Sequence, residues 1–110
     1  MEIRNLFTDL QAPCSEEVTE TLLETGGFSL ERIVSTGQST PAGEWYDQEK
    51  DEWVILLSGG AALFFEGGDE VEVMRPGDYV FIPAHCRHRV EWTDKRVPTV
   101  WLALHYRTAR

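Results

Sequence analysis

The stretch Gly77-Asp78-Tyr79-Val80-Phe81-Ile82-Pro83-Ala84-His85-Cys86-Arg87-His88 contains a turn, a short strand, a proline stop and a histidine, in that order. Glycine followed by aspartate is typical of a tight turn, and the four residues after them are typical of a buried strand. Pro83 has no backbone N–H to donate, so the strand ends there. Successive strand residues face opposite sides, which places His88 on one face with Val90 and Trp92. The segment therefore predicts a histidine that enters an apolar face.

Outward from this stretch, short apolar runs alternate with glycine, proline, aspartate and serine, a rhythm that is typical of an all-β domain. The predicted strands cover residues 28–34, 43–46, 52–58, 61–65, 70–74, 79–82, 88–92 and 99–106. Gly67-Gly68-Asp69 can close a hairpin between two of them. The sequence therefore predicts a mainly antiparallel β domain over residues 28–110.

The N-terminal segment, residues 1–27, has a different pattern. Ser15 is placed to cap a short helix, with Glu16 and Glu17 in its first turn. Gly26-Gly27 would end the helix after an apolar stripe. The stripe consists of Val18, Leu22 and Leu23. The pattern predicts a short N-terminal helix.

Composition narrows the class of protein. The 110 residues are 42% hydrophobic and 26% charged, which fits one globular domain. The net charge of -9 makes nucleic acid a poor partner, and no stretch has the roughly 20 apolar residues of a membrane span. The first residues lack the apolar run of a signal peptide, and the two cysteines, Cys14 and Cys86, fit free thiols. We expect a cytoplasmic protein that binds neither nucleic acid nor membranes.

Two further residues could lie near His88. Glu52 shares a strand face with Val54 and Leu56, although both faces of that strand are apolar. A buried carboxylate needs a partner, because leaving it ionised and alone costs several kcal/mol. His105 alternates along the last strand, and the pattern does not decide which face it takes. Glu52 and His105 are candidates for a polar site beside His88.

These residues resemble the motifs of the cupin family, whose fold is a small β-barrel or jelly roll with a site inside. Gly77, Pro83 and His88 match the second motif, with His85 where the family usually has glycine and Trp92 where it usually has asparagine. The resemblance implies an all-β, cupin-like jelly-roll β-barrel, with His88 at the position of the family's downstream metal ligand.

The first motif of the family is only partly present. Glu52 and Gly59 keep its spacing, but the histidine pair that precedes the glutamate is missing. Two spacings are permitted in the family, and both leave the pair without histidine. The pair falls on Trp45 and Asp47, or on Tyr46 and Gln48. Asp47 could supply a carboxylate oxygen and Gln48 a weaker carbonyl oxygen.

The resemblance implies one divalent metal ion. His88, Glu52 and Asp47 would offer one nitrogen and two oxygens, a set suited to Mn, Fe, Zn or Ni. If His85 turned inward, the set would become His85, His88 and Glu52. Without a metal, Glu52 and His88 would form a charge-assisted hydrogen bond, and such a pair could also act as the acid and base of an isomerase.

The predicted function is binding of one divalent metal and a small polar metabolite in a pocket inside the barrel. A metal-free binding or sensor module and an isomerase-type acid/base site are the alternatives. The candidate ligand-binding residues are Tyr46, Gln48, Trp92 and His105. Edge strands and abundant aromatic residues predict a homodimer.

Overall fold

The computed structural model describes residues 1–10 and 15–107, which form eight β-strands and no helix. In chain order the strands are β1 (Val18–Thr25), β2 (Phe28–Ser35), β3 (Asp51–Ser58), β4 (Ala61–Phe65), β5 (Glu72–Met74), β6 (Tyr79–Ile82), β7 (His88–Thr93) and β8 (Thr99–Tyr106). None of the described residues belongs to a helix long and apolar enough to cross a membrane.

The strands form two antiparallel sheets. The larger sheet has the order β1-β2-β8-β3-β6, and the smaller has the order β5-β4-β7. This arrangement confirms the all-β class. The predicted jelly-roll β-barrel takes the form of two sheets that pack against each other, and the described strands do not close into one continuous barrel.

The core lies between the two sheets. Val54, Leu56 and Trp101 come from the larger sheet, and Ala61 and Leu63 come from the smaller one. Each fully buried leucine contributes about 2 kcal/mol relative to an exposed one. The alternation that buries Val54 and Leu56 also points the side chain of Glu52, two residues before Val54, into the space between the sheets.

The predicted N-terminal helix is wrong, because residues Val18–Thr25 form β1 and pair with β2. Several residues of this segment are β-branched and therefore stiff at χ1, which favours a strand. The β-branched residues are Val18, Thr19, Thr21 and Thr25. Gly26-Gly27 makes a two-residue hairpin loop, with Thr25 opposite Phe28. β2 thus provides hydrogen-bond partners for the backbone N–H and carbonyl groups of β1. In a short helix, these groups would have bonded to each other within the segment.

The predicted strand over residues 43–46 is also absent. The backbone N–H of Glu44 donates to the carbonyl of Pro41, which closes a turn. Only Tyr46 pairs with another strand residue, in an isolated antiparallel bridge with His88. The other strands predicted after residue 28 are confirmed, with shifts of one or two residues at some ends.

A β-bulge changes the direction of side chains at the end of β7. Glu91 is an extra residue between Val90 and Trp92, because the partners of those two residues on β4 are consecutive. A bulge interrupts the in-and-out alternation. Trp92 is therefore 43% exposed, whereas Thr93 is buried. The prediction that Trp92 shares the inner face with His88 is wrong.

Gly59, between β3 and β4, has a φ of +84° and packs tightly against Thr99. A Cβ at this position would lie 2.4 Å from Oγ1 and 2.6 Å from Cα of Thr99. We expect Gly59→Ala to lower the free energy of unfolding by about 3 kcal/mol or more in urea denaturation, because a backbone clash adds to the left-handed backbone cost.

The matched control is Gly43→Ala. Gly43 has a nearly equal φ of +82°, but no atom lies within 4 Å of a Cβ added there. In this variant, the free energy of unfolding should fall only by the cost of the left-handed backbone, about 1 kcal/mol. Equal losses in the two variants would contradict the clash at Thr99.

Candidate functional site

A cavity of about 230 Å³ lies between the two sheets. Its apolar lining comes from both sheets and consists of Ile33, Val54, Leu63, Ile82, Val90 and Trp101. Its polar lining consists of Glu17, Thr19, Glu31, Tyr46, Gln48, Glu52, His88 and His105. A concave, largely apolar space with a few convergent polar groups is the usual form of a small-molecule site.

Glu52 lies at the centre of the polar lining and is only 7% exposed. Its Oε1 accepts a hydrogen bond of 3.0 Å from Nε2 of Gln48. His88 Nε2 lies 3.8 Å from the same oxygen, and His105 Nε2 lies 4.0 Å from Oε2. His105 reaches this position because it lies directly opposite Glu52 in the pairing of β3 with β8. One amide and two imidazoles therefore surround the buried carboxylate.

His88 is 5% exposed, and its ring is held on several sides. Nδ1 lies 2.8 Å from the carbonyl oxygen of Cys86. A carbonyl only accepts hydrogen bonds, so Nδ1 carries the proton, and Nε2 is the atom that gains or loses one. The ring stacks on Tyr46 with centroids 5.5 Å apart. His88 therefore presents Nε2 to the cavity in a defined orientation.

Tyr46 is attached to β7 through the backbone, because its N–H donates to the carbonyl of His88 and its carbonyl accepts from the N–H of His88. Its hydroxyl donates to Glu17 over 3.4 Å. Burial raises the pKa of the phenol, and the negative charges of Glu17 and Glu52 raise it further. The phenol is thus protonated at neutral pH and acts as a hydrogen-bond donor.

The structure decides between the two positions possible for the missing histidine pair. Tyr46 and Gln48 line the cavity, whereas Trp45 and Asp47 do not. Trp45 packs against Phe64, with their ring centroids 6.1 Å apart. The spacing that puts the pair on Tyr46 and Gln48 therefore fits the cavity, and these two positions carry a phenol and an amide instead of two histidines.

Asp47 and His85 form a pair of their own outside the cavity lining. His85 Nδ1 lies 2.8 Å from Asp47 Oδ1, and both side chains are exposed. His85 has a φ of 64°, in the left-handed region, which explains why glycine suits this position. Neither residue joins Glu52 and His88. Within residues 1–10 and 15–107, no three His, Cys, Asp or Glu side chains are arranged to hold a metal ion.

Two carboxylates of the cavity were not identified from the sequence. Glu31 lies on the inner face of β2, and its Oε1 is 3.1 Å from His105 Nε2. Glu17 precedes β1, and its Oε2 accepts a hydrogen bond of 3.1 Å from the hydroxyl of Ser35. The alternation of Glu31 with Ile33 was a usable signal for Glu31. Glu17 was hidden by its assignment to the first turn of a helix.

Comparison with known proteins identifies relatives with this arrangement of strands. A family model described as "Cupin domain" matches residues 32–105. A crystal structure from Ralstonia eutropha JMP134, described as a "putative mannose-6-phosphate isomerase", is 49% identical to the chain. The match covers 98% of this chain and 100% of that chain, with a TM-score of 0.95. No match was found among curated proteins.

More distant structures share only the fold. An RmlC-like cupin protein from Desulfovibrio desulfuricans is 19% identical, covers 96% of each chain and has a TM-score of 0.73. The polyketide cyclase RemF from Streptomyces resistomycificus is 21% identical, with 96% of this chain and 80% of that chain covered at a TM-score of 0.73.

Proposed function

The chain belongs to the cupin family, and from that premise we propose that its cavity binds a small polar metabolite on which Glu52 and His88 move a proton. The geometry of this pair is the observation that carries the proposal. Both side chains are buried, their polar atoms lie 3.8 Å apart, and both line the same cavity. A general acid and a general base must each reach the bound substrate, and this pair offers one of each.

The reaction class that suits the pair is a proton shift next to a carbonyl group. Glu52 would take the proton from the hydroxyl-bearing carbon beside the carbonyl, and His88, protonated on both ring nitrogens, would give its Nε2 proton to the carbonyl oxygen. In the enediol formed in this way, Glu52 would deliver its proton to the former carbonyl carbon. His88 would take the proton of the neighbouring hydroxyl group, which becomes the new carbonyl and restores both residues. The description of the Ralstonia eutropha relative as a "putative mannose-6-phosphate isomerase" supports this reaction class, although none of the described lining residues of this cavity is a lysine or arginine that would bind a phosphate group.

Hydrogen exchange tests the proposed proton transfer. With a panel of aldoses and ketoses in D₂O, proton NMR should show loss of the C–H signal next to the carbonyl in at least one compound. Glu52→Gln and His88→Gln should each slow this exchange by about a hundredfold or more, since general acid–base groups contribute roughly that factor.

The matched controls are Asp47→Asn and His85→Gln. These variants change the same chemical groups in a pair that lies outside the cavity lining. We expect their exchange rates to stay within about twofold of the unmodified protein. Unchanged exchange in the Glu52 and His88 variants would contradict the proposed roles, as would an equal loss in the controls.

A metal-dependent function is the second candidate, and one feature of His88 favours it. Its Nδ1 faces a carbonyl and its Nε2 is free, as is common for metal-binding histidines. His88 and Glu52 would be the ligands for Mn, Fe, Zn or Ni. The other donors are engaged elsewhere, because Asp47 and His85 pair with each other outside the cavity lining and His105 pairs with Glu31. We therefore propose that the proton transfer needs no metal.

Chelation separates the two candidates. Protein prepared without an affinity tag should contain clearly less than one metal ion per chain by elemental analysis. Its melting temperature and exchange rate should not change after chelation, because nothing in the proposed step depends on a metal. One ion per chain, with exchange lost on chelation and restored by a single metal, would establish the metal-dependent function instead.

The predicted homodimer is also part of this proposal. Each strand of the larger sheet contributes one apolar side chain to a row across the outer face. The row consists of Leu23, Leu30, Leu104, Trp53 and Phe81. Edge strand β6 adds Tyr79, which is 65% exposed. Soluble monomers rarely leave large contiguous apolar patches in water, so we propose that a second copy of the chain covers this face.

Light scattering tests the dimer. The unmodified protein should have twice the chain mass of 12.6 kDa, and Phe81→Lys should reduce it to the chain mass, because a charge in the row cannot be desolvated without a partner. Val73→Lys is the control, since Val73 is similarly exposed but lies in the smaller sheet. A monomeric unmodified protein would refute the dimer.

A further inference from the structure

We infer that the ligand of this cavity is a small organic cation whose protonated amine binds Glu17, and that phosphorylated compounds are disfavoured. The inference rests on the proposed binding function of the same cavity and defines the chemical class of its ligand. Three features of the cavity carry it: the charges in its lining, the partners of Glu17, and the aromatic residues in the hydrogen-bond network of Glu17.

The charged groups of the lining are almost all negative. Glu17, Glu31 and Glu52 line the cavity, and none of its described lining residues is lysine or arginine. His88 and His105 are the groups there that can become positive. A phosphate group would bring further negative charge among three carboxylates in a confined space, where like charges repel more strongly than in water. An ammonium group would meet attraction instead.

Glu17 is the lining carboxylate that has no basic side chain within ion-pair distance among the described residues. Glu31 is paired with His105, and Glu52 has His88 nearby. Glu17 receives hydrogen bonds from two neutral hydroxyl groups, those of Ser35 and Tyr46, over 3.1 Å and 3.4 Å. These bonds hold the carboxylate in place without neutralising its charge. A cationic ligand would therefore gain most by binding at Glu17.

Two aromatic side chains belong to the hydrogen-bond network that holds this carboxylate. Tyr46 donates to Glu17 directly, and Trp101 donates through its indole N–H to the same Ser35 hydroxyl over 3.0 Å. Both aromatic residues line the cavity. Because both side chains are neutral, they hold the carboxylate in position without cancelling its charge.

Calorimetric titration of three related sugars tests the inference. D-glucosamine, D-glucose and D-glucose 6-phosphate share a skeleton and a reactive carbonyl and differ mainly in charge. At low ionic strength and slightly acidic pH, we expect glucosamine to bind about tenfold more tightly than glucose, and glucose 6-phosphate to bind most weakly. Added salt should reduce the difference between the three.

The variant Glu17→Gln locates the amine. It should weaken glucosamine binding by about tenfold and leave glucose binding unchanged, because only the charge of the carboxylate is removed. Glu24→Gln is the matched control. Glu24 lies on β1, is exposed and does not line the cavity, so its substitution should change neither affinity.

The outcomes separate this inference from the proposed proton transfer. If glucose or its phosphate binds more tightly than glucosamine while the exchange reaction persists, the cationic class is wrong and the proton transfer stands. If Glu17→Gln leaves the preference for glucosamine intact, the assigned amine position is wrong. If none of the three sugars binds, the inference is wrong, whereas the proposed proton transfer is decided separately by the hydrogen-exchange experiment.

Discussion

The antiparallel pairing of β3 with β8 is the interaction on which the rest of the structure depends. Both strands lie inside the larger sheet, and their register places Glu52 directly opposite His105. The same alternation puts Val54 and Leu56 into the core. A slip of one residue would exchange the two faces of β3, turning Glu52 outward and Trp53 inward. The apolar core and the polar site are therefore held by one register.

The site combines two acid–imidazole pairs within one cavity. Glu31 and His105 are in close contact at 3.1 Å, whereas Glu52 and His88 lie 3.8 Å apart and both line the cavity. Direct pairing with His105 satisfies the carboxylate of Glu31. The carboxylate of Glu52 is held by a hydrogen bond from Gln48 to one oxygen, and its other oxygen stays available, which suits proton transfer. The unneutralised Glu17 extends the negative lining and favours a cationic ligand.

Much of the fold was predictable because strand alternation and turn residues act locally. Apart from residues 43–46, the strands after residue 28 and the inward direction of His88 followed from period-two patterns, and the cupin motif indicated Glu52 as a site residue. Prediction failed where a non-local partner decided the outcome. Val18–Thr25 became a strand because β2 was available to pair with it, and Trp92 turned outward because of a bulge against β4. Neither effect is encoded in the segment alone.

By itself, the sequence determined the all-β class, the cupin motifs and an inward-facing histidine, because these depend on residue type and short-range periodicity. Only the tertiary structure decided which polar residues meet. It placed Tyr46 and Gln48 in the cavity, paired Asp47 with His85 outside it, and brought Glu17 and Glu31 to the same lining. The physical reason is that sheet register and packing between sheets set distances between residues far apart in the chain, and those distances determine the chemistry of the site.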